Sequence, residues 1–126
     1  MTAVLDSSAV LAMLWREKGC DIVETYLPEA LISSINLAEV YTKCTERGID
    51  PDAVAAVVAK LPVTVVDFSA PQALLAGKLR PQTKALGLSL GDRACLAVAM
   101  MERATVVTAD KPWANVGLNL KIVVIR

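Results

Sequence analysis

Apolar residues occur in this chain in two patterns. Short runs at residues 2–5 (TAVL), 30–34 (ALISS), 63–68 (VTVVDF), 105–110 (TVVTAD) and 120–125 (LKIVVI) have the length and β-branched content of strands. Between them the apolar positions recur at helical spacing. Val10, Leu11, Leu14 and Trp15 share one face of a segment beginning at Ser7, and Gly19 separates it from DIVETYL, which Pro28 closes. NLAEVYTKCTERG is predicted as a helix from Asn36 to Gly48, and Asp50 with Pro51 opens DPDAVAAVVAKL, stopped by Pro62. In that last helix Ala53, Val54, Val57, Val58 and Leu61 are expected to pack inward, leaving Ala55, Ala56 and Ala59 as a small apolar side, either a docking groove or simple helix propensity. Ser69 starts a helix that Pro81 kinks or ends, and a polar link through Gly87 leads to SLGDRACLAVAMMERA, an almost wholly apolar helix. Strands that are apolar throughout are buried on both faces, and strands alternating with helices are joined by crossovers. The pattern predicts one α/β domain over residues 1–126: a mostly parallel sheet of five strands with helices on both faces.

Composition narrows this reading. A chain of 126 residues is long enough to bury a core of its own. Its apolar fraction is 55% with only 4% aromatics, so the core must be Ala, Val, Leu and Ile, and the apolar excess points to surface that faces a partner. Thirteen basic residues balance thirteen acidic ones, so no whole-molecule field draws in a polyanion. Cys20, Cys44 and Cys95 are odd in number and widely spaced, which argues against a disulfide framework or zinc cluster and fits a reducing cytoplasm. With no signal segment and no apolar run near the ~18 residues that span a bilayer, the expectation is a soluble protein with no membrane contact. Histidine is absent, which removes Ser-His-Asp and Cys-His nucleophiles, histidine metal ligands and histidine-pair ribonuclease chemistry together. Hydrolysis would have to use carboxylates with a hard metal, or lysine.

In a parallel α/β sheet, ligands bind beyond the carboxyl ends of the strands. Asp6 follows the first strand, Glu39 lies in the first turn of the helix after the second, Asp92 opens the apolar helix and Asp110 follows the fourth strand. Each alone reads equally as a helix cap: Asn36 with Glu39 and Ser89 with Asp92 have capping-box spacing. Right-handed crossovers start all these helices at one sheet edge, so the four acids converge. Unpaired, they repel one another; around a divalent cation they become ligands, and oxygen-only ligands select magnesium or manganese. Ser7 and Thr108 place hydroxyls beside them, for a role at the metal or for ordinary capping. Arg93 and Lys111 adjoin two of the acids, and between Phe68 and Gly91 the charges are Lys78, Arg80 and Lys84 with no acid, either a track for a polyanion or a solvated face.

The segments VLDSSAVLAML, SINLAEV, LSLGDRACLAVA and VVTADKPWA together resemble the four acidic motifs of PIN-domain ribonucleases, specifically the VapC-type toxins of toxin–antitoxin pairs, over essentially the whole chain. The resemblance implies a PIN-like three-layer fold on a five-stranded parallel sheet, Mg2+ (or Mn2+) at the acids, and hydrolysis of structured RNA by metal-activated water. Asp6, Glu39, Asp92 and Asp110 match the family's acidic quartet, and Ser7 and Thr108 its hydroxyl positions. Asp6, Asp92 and Asp110 are the expected metal ligands, with Glu39 orienting or deprotonating the nucleophile. A cognate antitoxin and a homodimer are implied as partners. TADKPW departs from the commoner arginine-containing form, at the position of Lys111.

Two readings from other classes stand beside this one. Asp67 closes the third strand and Lys111-Pro112 precedes the last, as a phosphoacceptor aspartate and lysine-proline pair would in a receiver domain; yet Asp6 is followed by Ser7 and Ser8 where a receiver carries an acidic doublet. A noncatalytic PIN-like module that only binds a partner is the other.

Overall fold

Every strand pairing in the computed structural model, which describes residues 2–126, is parallel. Strands β1 (Ala3–Leu5), β2 (Ala30–Ser33), β3 (Val63–Val66), β4 (Thr105–Thr108) and β5 (Ile122–Val124) lie in the order β3-β2-β1-β4-β5. The helices are α1 (Ser7–Leu14), α2 (Cys20–Tyr26), α3 (Ser34–Glu46), α4 (Pro51–Ala59), α5 (Ala70–Lys78), α6 (Arg80–Thr83) and α7 (Leu90–Glu102), with 3-10 turns at Lys84–Leu86 and Lys111–Asn115. From β1 the chain winds outward through β2 to β3, then returns to the other side for β4 and β5. The winding direction therefore reverses between β1 and β4, and a crevice opens at such a switch point.

Because β1 is central, its residues alternate between two cores and are all buried. Ala3 and Leu5 face a layer with Val10, Val23, Val40 and Val58 from α1 to α4. Val4 faces the other layer, with Leu79 at the α5–α6 junction, with Cys95, Leu96 and Val98 from α7, and with Trp113. Full burial of an aliphatic side chain such as Leu5 contributes about 1.5–3 kcal/mol. Residues Ala94, Cys95, Leu96, Ala97, Val98 and Ala99 of α7 are all buried, which is why that helix has no polar face. No helix among the described residues is long and apolar enough to cross a membrane.

Several local expectations are corrected. Helix α3 begins at Ser34, not Asn36, because the Ser33 hydroxyl accepts from Ile35 N (3.2 Å) and caps it; Asn36 is left inside the first turn with its side chain buried. Glu39 consequently lies in the second turn. In α4 only Val54 and Val58 are buried, with Leu61 packed beside them; Ala53 and Val57 turn outward. That helix covers the sheet's edge, so an i, i+4 stripe suffices. Pro81 falls in the first turn of the short α6, where a missing N–H interrupts nothing. The receiver alternative fails on topology: receiver sheets run 2-1-3-4-5, whereas here β1 is central and Asp67 follows the edge strand β3, exposed.

Gly19 turns the chain into α2 at φ +94°, and a Cβ there would lie 2.6 Å from the Ile125 carbonyl oxygen. Gly48 has φ +74° with nothing within 4 Å. Gly48→Ala should therefore cost only the left-handed penalty of about 1–2 kcal/mol, and Gly19→Ala clearly more, in urea denaturation. Equal losses would contradict this packing of Ile125, just beyond β5, against the α2 turn.

Candidate active site

Asp6 leaves β1 with its N–H still donating to Val107 O of β4 (3.2 Å), so its side chain is delivered into the switch-point crevice by the sheet itself. It is 2% exposed. Oδ1 accepts from Ser8 Oγ (2.7 Å) and from Ala9 N (2.9 Å), the latter capping α1, and Oδ2 accepts from Thr108 Oγ1 (2.6 Å). All three donors are neutral. Burial raises the Asp6 pKa to about 7; the hydrogen bonds from Thr108, Ser8 and Ala9 pull it down without prevailing, and the charge of Asp110 adds to the rise.

Of the other three acids, Asp110 acts directly on Asp6, while Asp110 and Glu39 act on Asp92. Thr108 Oγ1 accepts from Asp110 N (3.0 Å), so one hydroxyl fastens the turn carrying the exposed Asp110 to the buried carboxylate. Asp92 closes a capping box at the start of α7, accepting from Ser89 N (2.9 Å) while its own N–H donates to Ser89 Oγ (3.2 Å). Its pKa is raised, first by burial and further by Asp110 and Glu39. Glu39, half-buried on α3, accepts at Oε1 from Asn36 Nδ2 (2.9 Å). Beneath them Cys95 is fully buried, and its thiol is pushed well up by burial and by the charges of Asp6, Asp92 and Glu39. It forms a neutral floor for the cluster.

A buried Asp6 with no basic side chain balancing it among the described residues, and with Asp110 raising its pKa further, suits a divalent cation. Among the described residues no three acidic or thiol groups form a ready-made metal cage. Magnesium needs none, since it binds through one or two carboxylates and retains water or substrate oxygens elsewhere. The donor set, oxygen only and one member buried without a counter-charge, fits such an ion.

The remaining expected residues fall at different distances from this centre. The hydroxyl on Asp6 belongs to Ser8, not Ser7; Ser8 Oγ also accepts from Ala109 N (2.9 Å). Ser7 is half-buried and instead lines a groove of ≈ 470 Å³ with Ile35, Ala38, Glu39, Thr42 and Lys43. Lys78, Arg80, Lys84 and Lys111 are exposed, Arg80 also reaching Leu88 O (3.4 Å). Arg93 is half-buried and ties α7 to α5 by donating from Nη1 to Ala76 O (2.9 Å). Sequence reasoning missed Ser8, Asn36 and Gly91. For Ser8 and Asn36 the cue was present, two residues after a cap and three before an acid, but the same spacings describe ordinary helix starts.

The sequence profile of the PIN domain matches residues 3–118. The chain belongs to the PIN domain family. A comparison with curated protein sequences gave no match. Among solved structures, this PIN domain is similar to a toxin–antitoxin complex from Klebsiella pneumoniae, with 21% identity, coverage of 98% of both chains and a TM-score of 0.77. It is similar to VapBC2 from Rickettsia felis, solved bound to a DNA fragment from its promoter, at 22% identity, full coverage of both chains and a TM-score of 0.73. It is also similar to VapC20 of Mycobacterium tuberculosis, a toxin that cleaves the sarcin-ricin loop, at 18% identity, covering 92% of this chain and 95% of that one with a TM-score of 0.76. At these identities the likeness speaks to the fold of the PIN domain.

The raised Asp6 pKa has a signed consequence for the metal-free protein. Between about pH 4 and 7 the folded state keeps a proton that the unfolded chain has lost. The stability contributed by neutral Asp6 is complete below that window and is lost as pH rises through it, a change on the order of a few kcal/mol. In chelator-treated protein, Asp6→Asn should match the parent near pH 4 and exceed its melting temperature at pH 8. A variant less stable than the parent at pH 8 would contradict the burial argument.

Proposed function

We propose that this PIN domain is a magnesium- or manganese-dependent endoribonuclease, the toxin of a toxin–antitoxin pair, which hydrolyses phosphodiester bonds in structured RNA. The observation that carries this is a buried Asp6 with no cationic partner among the described residues, its pKa raised further by Asp110, which together with Glu39 also raises that of Asp92. Family membership supports it, and so do the VapBC complexes and the sarcin-ricin-cleaving toxin among the similar structures.

Asp6 and Asp92 would hold the metal, with Asp110 directly or through water. A bound magnesium or manganese ion supplies a Lewis acid that polarises the scissile phosphate and lowers the pKa of a water molecule. Ser8 and Thr108 fix both oxygens of Asp6, so that carboxylate does not have to reorganise during the reaction. Glu39 orients the attacking water and takes its proton as the oxygen adds to phosphorus in line with the departing ribose oxygen. That ribose oxygen leaves with the P–O bond electrons and is protonated from solvent. Lys78, Arg80 and Lys84, on α5, α6 and the following turn, with Lys111 beside Asp110, would neutralise phosphates of the bound strand. Arg93, committed to Ala76, would stiffen the start of α7 more than it contacts RNA.

Partners follow from exposed apolar surface. Ala53 and Val57 of α4, with Leu14, Trp15 and Ile49, line an apolar groove of ≈ 290 Å³, and Leu74 and Leu90 are more than half exposed. Such surfaces support a cognate antitoxin and a homodimer as partners; the odd, widely spaced cysteines, all free, fit the reducing cytoplasm as their place.

Purified chain with magnesium should cleave structured RNA internally, and a chelator should abolish cleavage. Asp92→Asn should lower kcat at least 100-fold while leaving the circular dichroism spectrum unchanged. Chelator-resistant cleavage, or full activity in Asp92→Asn, would overturn the assignment.

A further inference from the structure

Asn36 is fully buried, yet its side chain is an amide with an oxygen, Oδ1, that finds no hydrogen-bond partner among the described residues. A buried acceptor left unpaired costs free energy that an aliphatic residue there would avoid. What the amide does provide is its NH2 group. Nδ2 donates to Glu39 Oε1 (2.9 Å) on its own helix and to the Gly91 carbonyl (3.0 Å) in the first turn of α7. The orientation is fixed by chemistry, since turning the amide over would set its oxygen against two other acceptors.

Gly91 completes the arrangement from the opposite side. A Cβ at this position would lie 2.3 Å from Glu39 Oε2, 2.6 Å from Cδ and 2.7 Å from Oε1, so the Glu39 carboxylate rests directly on the Gly91 backbone. Gly91 is not among the residues of positive φ, so the helix does not demand glycine there. Its backbone would accept alanine; only the space taken by Glu39 would not. Helix α3 belongs to one layer and α7 to the other, and this contact joins them above the sheet edge beside Asp92.

We propose that Asn36 and Gly91 form a seat for Glu39, one gripping Oε1 and the other leaving room for the carboxylate, so that the carboxylate is held in place for the reacting water. Both are positioning residues, and the inference rests on the nuclease reading given above. Helices α3 and α7 thereby act together, because the same turn of α7 that presents Asp92 also fixes where Glu39 can stand. A reacting group displaced by about 1 Å loses about 100-fold in rate.

Two variants test the seat from its two sides. Gly91→Ala adds one methyl beneath a flexible side chain, which can yield, so the fold should persist while Glu39 is pushed away; Asn36→Leu removes the donor at nearly constant volume. In metal-free protein labelled with carbon-13 at glutamate carboxyls, the Glu39 line, identified by its loss in Glu39→Gln, should shift in both variants. With magnesium and RNA, kcat should fall about 100-fold and KM should change little. Gly91→Ala combined with Glu39→Gln should be no slower than Glu39→Gln alone, because both act through one carboxylate. An unmoved Glu39 line, or losses that multiply in the double variant, would overturn the seat. If Gly91→Ala does not fold, Asn36→Leu decides by the same measurements. If the parent protein does not cleave RNA, the nuclease reading fails, and the carboxyl line of the metal-free protein still decides whether the seat exists.

Discussion

A carboxylate without a counter-charge among the described residues, sealed at the end of a central β-strand, is the constraint around which this molecule is organised. Asp6 is held by two hydroxyls and one backbone N–H, and every one of those donors is neutral. Capping α1 explains one of the three bonds. It does not explain why burial is allowed to drive the group's pKa to about 7, or why Asp110 approaches and raises it further. A protein built for stability alone would place asparagine or serine there. Retaining an acid at that expense makes sense where a cation is to be met, since ion binding converts mutual repulsion into coordination.

The sheet order turns this local feature into a site. Because winding reverses between β1 and β4, the ends of those strands diverge from their helices on opposite faces, and the crevice between them collects Asp6, Thr108 and Asp110. Asp92 and Glu39 come in over that edge from α7 and α3, one from each layer. Thr108 serves both sides of the crevice by donating to Asp6 and accepting from Asp110 N. The buried, neutral Cys95 under the cluster leaves no hydroxyl or charge to compensate the acids from below.

Much of this was legible in the sequence because strong signals coincided. All five strands were marked by short apolar runs, Ser69 was placed at a helix start, and the cap spacing of Ser89 with Asp92 is reproduced as a capping box. That the four acids should lie toward one sheet edge was an expectation from handedness alone. What could not be read were choices settled by tertiary contact. Asn36 has the spacing of a cap, but Ser33 caps α3 first, and the freed amide bridges to Gly91, 55 residues away, which no local pattern encodes. Ser7 and Ser8 are indistinguishable as text; only the helix's rotation on the sheet puts Ser8 on Asp6. Val57 and Ala53 satisfied a helical stripe and yet face outward, because α4 lies at the sheet margin and has less to cover.

The claim that these acids exist to share one hard cation is tested most directly by anomalous diffraction from crystals soaked in manganese. The account predicts a single strong peak in the β1–β4 crevice, within about 2.5 Å of oxygens from Asp6 and Asp92, that disappears in Asp6→Asn. Fully soaked crystals in which manganese is absent from that crevice, or is bound there equally well without Asp6, would contradict it.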